Sequence, residues 1–220
     1  MTDDPKVAEA WLDADSAADY ERRRFTTLAG RLSQRLDFIA LRRSLHGLPK
    51  SAPILDLPCG TGRALRFMAA RGFRNLSGAD VSPAMLAVAK SAAGNVTFVE
   101  CDASKTNLPS AGYDLVFSMR FFGHVAPEDR PAILEEMARL SAGRVVIEIP
   151  ISSRSAHFAK SVLRRHTVGS RLPSKFDWHA GSLRTFRAQA AAAGLEVVAA
   201  RRKLPVLSDS RFVELRVIPR

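Results

Sequence analysis

Three carboxylates each close a short apolar run in the middle of this chain. Asp56 follows Ile54-Leu55, Asp80 follows Leu76-Ser77-Gly78-Ala79, and Asp102 follows Val96-Thr97-Phe98-Val99-Glu100-Cys101. After the first comes Leu57-Pro58-Cys59-Gly60-Thr61-Gly62-Arg63, where the apolar run breaks into a glycine-bearing turn ahead of a helical pattern. Backbone that passes close to a ligand needs residues without side chains, so Gly60 and Gly62 are the natural contact points. A helix opening at Gly62 would aim its free N–H groups at the same place. This is a cradle for a nucleotide-like cofactor. A dinucleotide prefers G-x-G-x-x-G, and Leu65 stands where the third glycine belongs. Asp56, just ahead of the turn, would oppose a pyrophosphate but attract an ammonium or a sulfonium, and S-adenosylmethionine carries both cations. Asp80 suits a two-oxygen grip on ribose hydroxyls. Asp102, with Ala103, could accept from an adenine amino group and donate a backbone N–H to the ring.

These residues need a scaffold of alternating elements. Residues 6 to 47 carry helical spacing, with Leu28, Leu32, Leu36, Ile39 and Leu45 recurring between arginines, and Gly47-Leu48-Pro49 ends that pattern. From Ser51 on, strands are expected near 53–57, 75–79, 95–100, 113–118, 144–149, 195–200 and 211–218. Helices are expected near 62–71, 82–92, 128–141 and 182–193. Such alternation predicts a mostly parallel sheet with helices on both faces, and Val145-Val146-Ile147 reads as a central strand, apolar on both sides. The segment from Phe212 to Ile218 follows its neighbour after a short polar turn and is expected to pair antiparallel. Asp114 and Glu148 read as loop or cap carboxylates.

The 220 residues, 46% hydrophobic, suffice for one buried domain. Its parts are a helical N-terminal cap (1–50), a cofactor core (51–150), a basic insertion (151–182) and a C-terminal helix with a strand pair (183–220). The net charge of +11 favours anionic partners through the long-range field. With Cys59 and Cys101 alone, and no Cys/His cluster at ligand spacing, neither a disulfide scaffold nor a metal site is expected. The acidic N-terminus does not read as a signal peptide, and no apolar run is long enough to span a bilayer. The expectation is a cytoplasmic chain that could also sit peripherally at a membrane surface. Monomer and homodimer both stay open.

Taken together, the motifs resemble the class I S-adenosylmethionine-dependent methyltransferases, in particular the small-molecule enzymes of the methyltransferase type 11 pattern. The resemblance rests on Leu55-Asp56-Leu57-Pro58-Cys59-Gly60-Thr61-Gly62, Gly78-Ala79-Asp80-Val81-Ser82-Pro83-Ala84-Met85-Leu86, Glu100-Cys101-Asp102-Ala103, and Tyr113-Asp114-Leu115-Val116-Phe117-Ser118 followed by His124-Val125. It implies a Rossmann-like three-layer α/β sandwich with a seven-stranded sheet of order 3-2-1-4-5-7-6, the last strand antiparallel. It implies that Asp56 and the Gly60–Gly62 turn hold the methionine part, Asp80 the ribose, Val81 and Ala103 the adenine faces, and Asp102 the adenine amino group. Thr61, Arg63, Met85 and Met119 complete the implied contacts. The chain departs from the family at Pro58, where a glycine is usual; proline removes a backbone donor and fixes φ.

The implied reaction is transfer of a methyl group to a small acceptor, anionic or lipid- or quinone-like. Positioning and the charged sulfonium would supply much of the rate. Where the acceptor must lose a proton, the resemblance places His124 beside the methyl-bearing end as the candidate base, with His179 as the other candidate. Candidate acceptor contacts are Tyr20, Arg24, Arg120, Trp178 and His179. Between Glu148 and Asp177 there is no carboxylate, while Arg154, Lys160, Arg164, Arg165, Arg171 and Lys175 are present. With Phe158, Val162 and Leu163 this makes a basic amphipathic element suited to an anionic or membrane-held acceptor. The charge also raises RNA or DNA methylation, but Ser118-Met119-Arg120-Phe121 stands where many amino-methylating nucleic-acid enzymes carry Asn/Asp-Pro-Pro-Tyr/Phe. A third alternative is a non-catalytic module that keeps the cofactor fold for binding.

Overall fold

A computed structural model of the protein describes residues 28–151, 179–203 and 210–219. The elements in chain order are α1 (Leu28–Ser44), β1 (Ile54–Asp56), α2 (Arg63–Ala69), β2 (Leu76–Asp80), α3 (Pro83–Ala92), β3 (Thr97–Glu100), β4 (Tyr113–Ser118), α4 (Arg130–Leu140), β5 (Ser141–Pro150), α5 (Leu183–Ala192), β6 (Leu195–Arg202) and β7 (Ser210–Val217). The strands form one seven-stranded sheet of order β3-β2-β1-β4-β5-β7-β6. Pairings among β1 to β5 are parallel, and β7 runs antiparallel to both β5 and β6. The sequence expectation for the sheet holds throughout.

Alternate residues of the central strands feed two separate cores, as the two-residue period of a strand requires. Leu55, Val116, Val145 and Ile147 pack toward Leu134 and Met137 of α4 and Phe186 of α5. Ile54, Leu115, Phe117 and Val146 pack toward Leu41 of α1, Leu65 and Met68 of α2, and Leu86 of α3. Burying both faces makes these strands apolar runs rather than alternating ones.

The first helix corrects the sequence reading. Of the residues expected to form its apolar stripe, Leu32 and Ile39 are 58% and 51% exposed, Leu36 is half-buried and Leu45 is buried, while Asp37 and Leu41 take inner positions. Spacing alone could not choose between the faces, because a charged residue that finds buried partners can occupy the inner one. Phe38 stacks on Phe67 of α2 with ring centroids 4.3 Å apart, which fixes the helix against the cofactor half of the sheet.

The glycines near the first turn do two different jobs. At Gly60 (φ 52) a Cβ would meet nothing within 4 Å, so this residue faces open space. At Gly62 (φ 73) a Cβ would lie 3.0 Å from the Ala89 Cβ and 3.4 Å from its Cα. Gly62 is therefore required by the packing of the turn onto α3. Gly62→Ala combines a left-handed backbone with a backbone-limited contact, and about 2 kcal/mol of stability should be lost. Urea unfolding with an unchanged midpoint would refute this.

Candidate cofactor and active site

Parallel pairing brings the carboxyl ends of β1, β2 and β3 to one edge of the sheet, with Asp56 opposite Gly78 and Asp80 opposite Glu100. The strand order reverses between β1 and β4, which opens a crevice at that edge. The turn after β1 is pinned to its neighbours through the backbone: Leu57 donates to the Phe117 carbonyl at 2.8 Å and Cys59 to the Ala79 carbonyl at 2.8 Å. Pro58 lies between these two donors, so its missing N–H breaks neither bond.

Asp80 grips the Gly60 turn, and Asp56 lies near enough to Asp80 for their charges to interact. Asp80 accepts from the Gly60 N–H at 2.7 Å and from the Ser82 N–H at 3.0 Å, one on each carboxylate oxygen. Burial raises its pKa, and these backbone donors pull it part-way back. Asp56 is raised well above the ordinary carboxylate range, first by burial and then by the charge of Asp80, with Arg63 opposing. Two close, buried carboxylates make this crevice a place for a cationic ligand.

The other expected contacts distribute around this pair. Val81, at the mouth, is 54% exposed, an apolar surface left open where β2 ends. Thr61 is buried, and its carbonyl accepts from Arg66 at 2.8 Å. Met85 is buried too, and its amide donates to Ser82 Oγ, which caps α3. Asp102 is exposed and accepts from Ser104 through both its N–H (2.7 Å) and its hydroxyl (2.6 Å), forming the turn that presents the half-buried Ala103. Met119 is half-buried against the core beneath α1. Tyr20, Arg24, Trp178 and the basic element around 158–165 lie outside the described residues. Burial pushes the Cys101 thiol up to about 11 and Cys59 higher still, so both stay protonated at neutral pH and neither is poised as a nucleophile.

The two histidines come together through the backbone. His124 closes a turn by donating its N–H to Phe121, and the His179 N–H donates to the Gly123 carbonyl at 2.9 Å. Arg130, 2% exposed, secures both, donating to the carbonyls of Phe122, Val125 and His179 at 3.1, 3.2 and 2.7 Å. Its role escaped sequence reading, since an arginine opening a helix looks like any solvated charge.

Two further clusters were missed. In the loop after β3, Thr106 donates to Glu136 of α4 through its N–H (2.8 Å) and hydroxyl (2.6 Å). Arg139 ties Glu136 to the Leu108 carbonyl and to Ser110. This pair clamps the loop that carries Asp102 and Ala103. The Arg139 and Thr106 hydrogen bonds hold the Glu136 carboxyl down at about 2. Its folded pKa lies below the unfolded one, so its contribution is complete above the ordinary range near 4.5 and fades as pH falls toward 2. Glu136→Gln should cost about 2 kcal/mol at pH 7 and progressively less toward pH 3, read from urea midpoints across pH. A difference independent of pH would count against the clamp.

The second cluster lies at the ends of β4, β5 and β6. Arg120, named above as a candidate acceptor contact, donates from Nε to Asp37 at 2.8 Å and from Nη2 to Ser33 at 2.9 Å. Glu148, expected in a loop or cap, is 5% exposed inside β5. Its place in the apolar run Val145–Ile149 was the available signal, because a carboxylate inside such a strand needs a buried partner.

The comparisons with known proteins agree with this architecture. Residues 54–142 match a family model described as a methyltransferase domain. The chain aligns over 97% of its length, and 99% of the other, with magnesium protoporphyrin IX methyltransferase from Synechocystis PCC 6803 with bound SAH, at a TM-score of 0.74 and 18% identity. Over residues 54–142 the chain is thus similar to methyltransferase domains, and it shares the methyltransferase fold. Human N-acetylserotonin methyltransferase in complex with SAM is a second structural neighbour of this methyltransferase fold, at a TM-score of 0.66 and 13% identity, covering 96% of this chain and 58% of that one. In sequence the chain is 37% identical over 94 residues to human Methyltransferase-like protein 27, which is 43% of this chain and 38% of that protein. It thus spans less than two fifths of the length of that curated relative. Among its described residues no helix is long and apolar enough to cross a membrane.

Proposed function

We propose that the chain transfers the methyl group of S-adenosylmethionine to a small-molecule acceptor. The observation that carries this reading is the buried pair Asp56 and Asp80, with Asp80 bonded to the left-handed Gly60, at the crevice where the strand order reverses. The residues fit the cofactor: open space in front of Gly60, a paired acidic floor, and the exposed Val81 at the rim. Asp56 would hold its cationic methionine end, Asp80 the ribose hydroxyls, Val81 and Ala103 the adenine faces, and Asp102 the amino group. Bound there, the cofactor supplies a methyl group on a positively charged sulfur.

The chain's own residues supply orientation. Arg130 orders the Phe121–Val125 turn, and His124 on that turn would take a proton from an acceptor that has to lose one. The net positive charge favours an anionic acceptor, lipid- or quinone-like, including one held at a membrane surface. Two structural neighbours are named for magnesium protoporphyrin IX and N-acetylserotonin, both small molecules, which supports the same acceptor class.

Titration calorimetry with S-adenosylmethionine tests the cofactor, and absence of heat at high micromolar ligand would favour a non-catalytic module. Cell extracts incubated with the protein and radiolabelled cofactor, followed by mass identification of the labelled product, test the acceptor. Label entering RNA or DNA would overturn the small-molecule reading.

A further inference from the structure

A buried ionic cluster ties α1 to the ends of three strands immediately beside the crevice. Asp37, fully buried on α1, forms ion pairs with Arg120 and with Lys203. Lys203 also donates to Ser33 at 3.1 Å and lies 3.9 Å from Glu148. Glu148 in turn accepts from the Arg120 backbone N–H at 3.1 Å. Residues far apart in sequence thus meet at one point, just past Met119. Burying four charged groups is costly, and an apolar cluster of the same volume would often serve stability equally well, so the cluster calls for a role in fixing geometry.

The geometry at Arg120 supplies that role. Arg120 has φ 60, a left-handed conformation that a residue with a side chain adopts only when its surroundings hold it. Its N–H is held by β5 and its guanidinium by α1. The chain leaves this residue directly into the Phe121–Val125 turn. The far side of that turn is held by Arg130, so it is fastened at both ends.

We propose that Asp37 is a positioning residue: by gripping Arg120 and Lys203 it fixes the Met119–His124 turn against the methyl-bearing end of the cofactor. The inference rests on the methyltransferase reading for what the turn faces, and on the cluster alone for how the turn is held. Loss of the grip should loosen this turn and leave the ribose side unaffected.

The test uses the full-length chain with Asp37→Asn, Arg120→Gly and Asp37→Glu. Glycine adopts φ 60 without strain, so Arg120→Gly removes the grip even if Asp37→Asn does not fold. Amide hydrogen exchange, measured without ligand, should accelerate at least tenfold at residues 119–125 in both Asp37→Asn and Arg120→Gly, with 76–80 unchanged. Affinity for S-adenosylmethionine should fall at least fivefold, and Asp37→Glu should recover both properties. Wild-type exchange at 119–125 in folded Arg120→Gly would overturn the proposal, as would acceleration spread evenly over the sheet or an Asp37→Glu no better than Asp37→Asn. If the wild-type protein takes up neither S-adenosylmethionine nor S-adenosylhomocysteine, the cofactor reading fails, while the ligand-free exchange still decides whether Asp37 holds the turn.

Discussion

Asp56→Asn is expected to make the ligand-free protein more stable and to remove most of its affinity for S-adenosylmethionine. Burial and the neighbouring Asp80 push the Asp56 pKa up, so the folded chain holds this proton more tightly than the unfolded one. Stability then declines as pH rises from the ordinary aspartate range through the raised value, and an amide of the same shape is spared that loss. A gain of about 1 kcal/mol corresponds to roughly 2–4 °C in Tm for a chain of this size. The affinity should move the other way by about 100-fold, because a buried carboxylate facing a cation contributes several kcal/mol. The ionised form is the one that receives the cation, so wild-type affinity should climb with pH through the same window and release a proton on binding. Calorimetry in buffers of different ionisation enthalpy reads that proton. A destabilised variant that keeps its affinity would remove Asp56 from the site.

Asp80→Ala is expected to be damaging in both respects. The side chain accepts from Gly60 and Ser82, so its removal leaves one part-buried and one buried N–H donor unmatched and frees the glycine turn. A stability loss of about 2–3 kcal/mol should accompany an affinity loss of at least ~100-fold. Adenosine separates the two acids, since it carries the ribose but no cationic end. Its binding should disappear in Asp80→Ala and survive in Asp56→Asn. Equal adenosine affinities in the two variants would contradict the assignment of Asp80 to the sugar.

The contrast between these two acids and Asp37 shows what a linear text can carry. Asp56 and Asp80 were legible because each terminates a local apolar run, and in a parallel sheet the strand ends gather at one edge whatever the details of packing. Gly60 and Gly62 were legible as a turn but not as two different roles, since only the position of Ala89 shows that Gly62 is constrained by α3. Nothing local marks Glu136, because its partner Thr106 comes from a distant loop.

Local order in the chain therefore determined the strand–helix alternation, the parallel core with its antiparallel final strand, and the acids and glycines that line the crevice. Those features depend on neighbours a few residues away, where periodicity and turn chemistry act. The inward face of α1, the confinement of Arg120 and the buried setting of Glu148 were decided only in three dimensions. A charged side chain can be buried when opposite charges arrive from other segments, here residues 37, 120, 148 and 203, and no local pattern records that meeting.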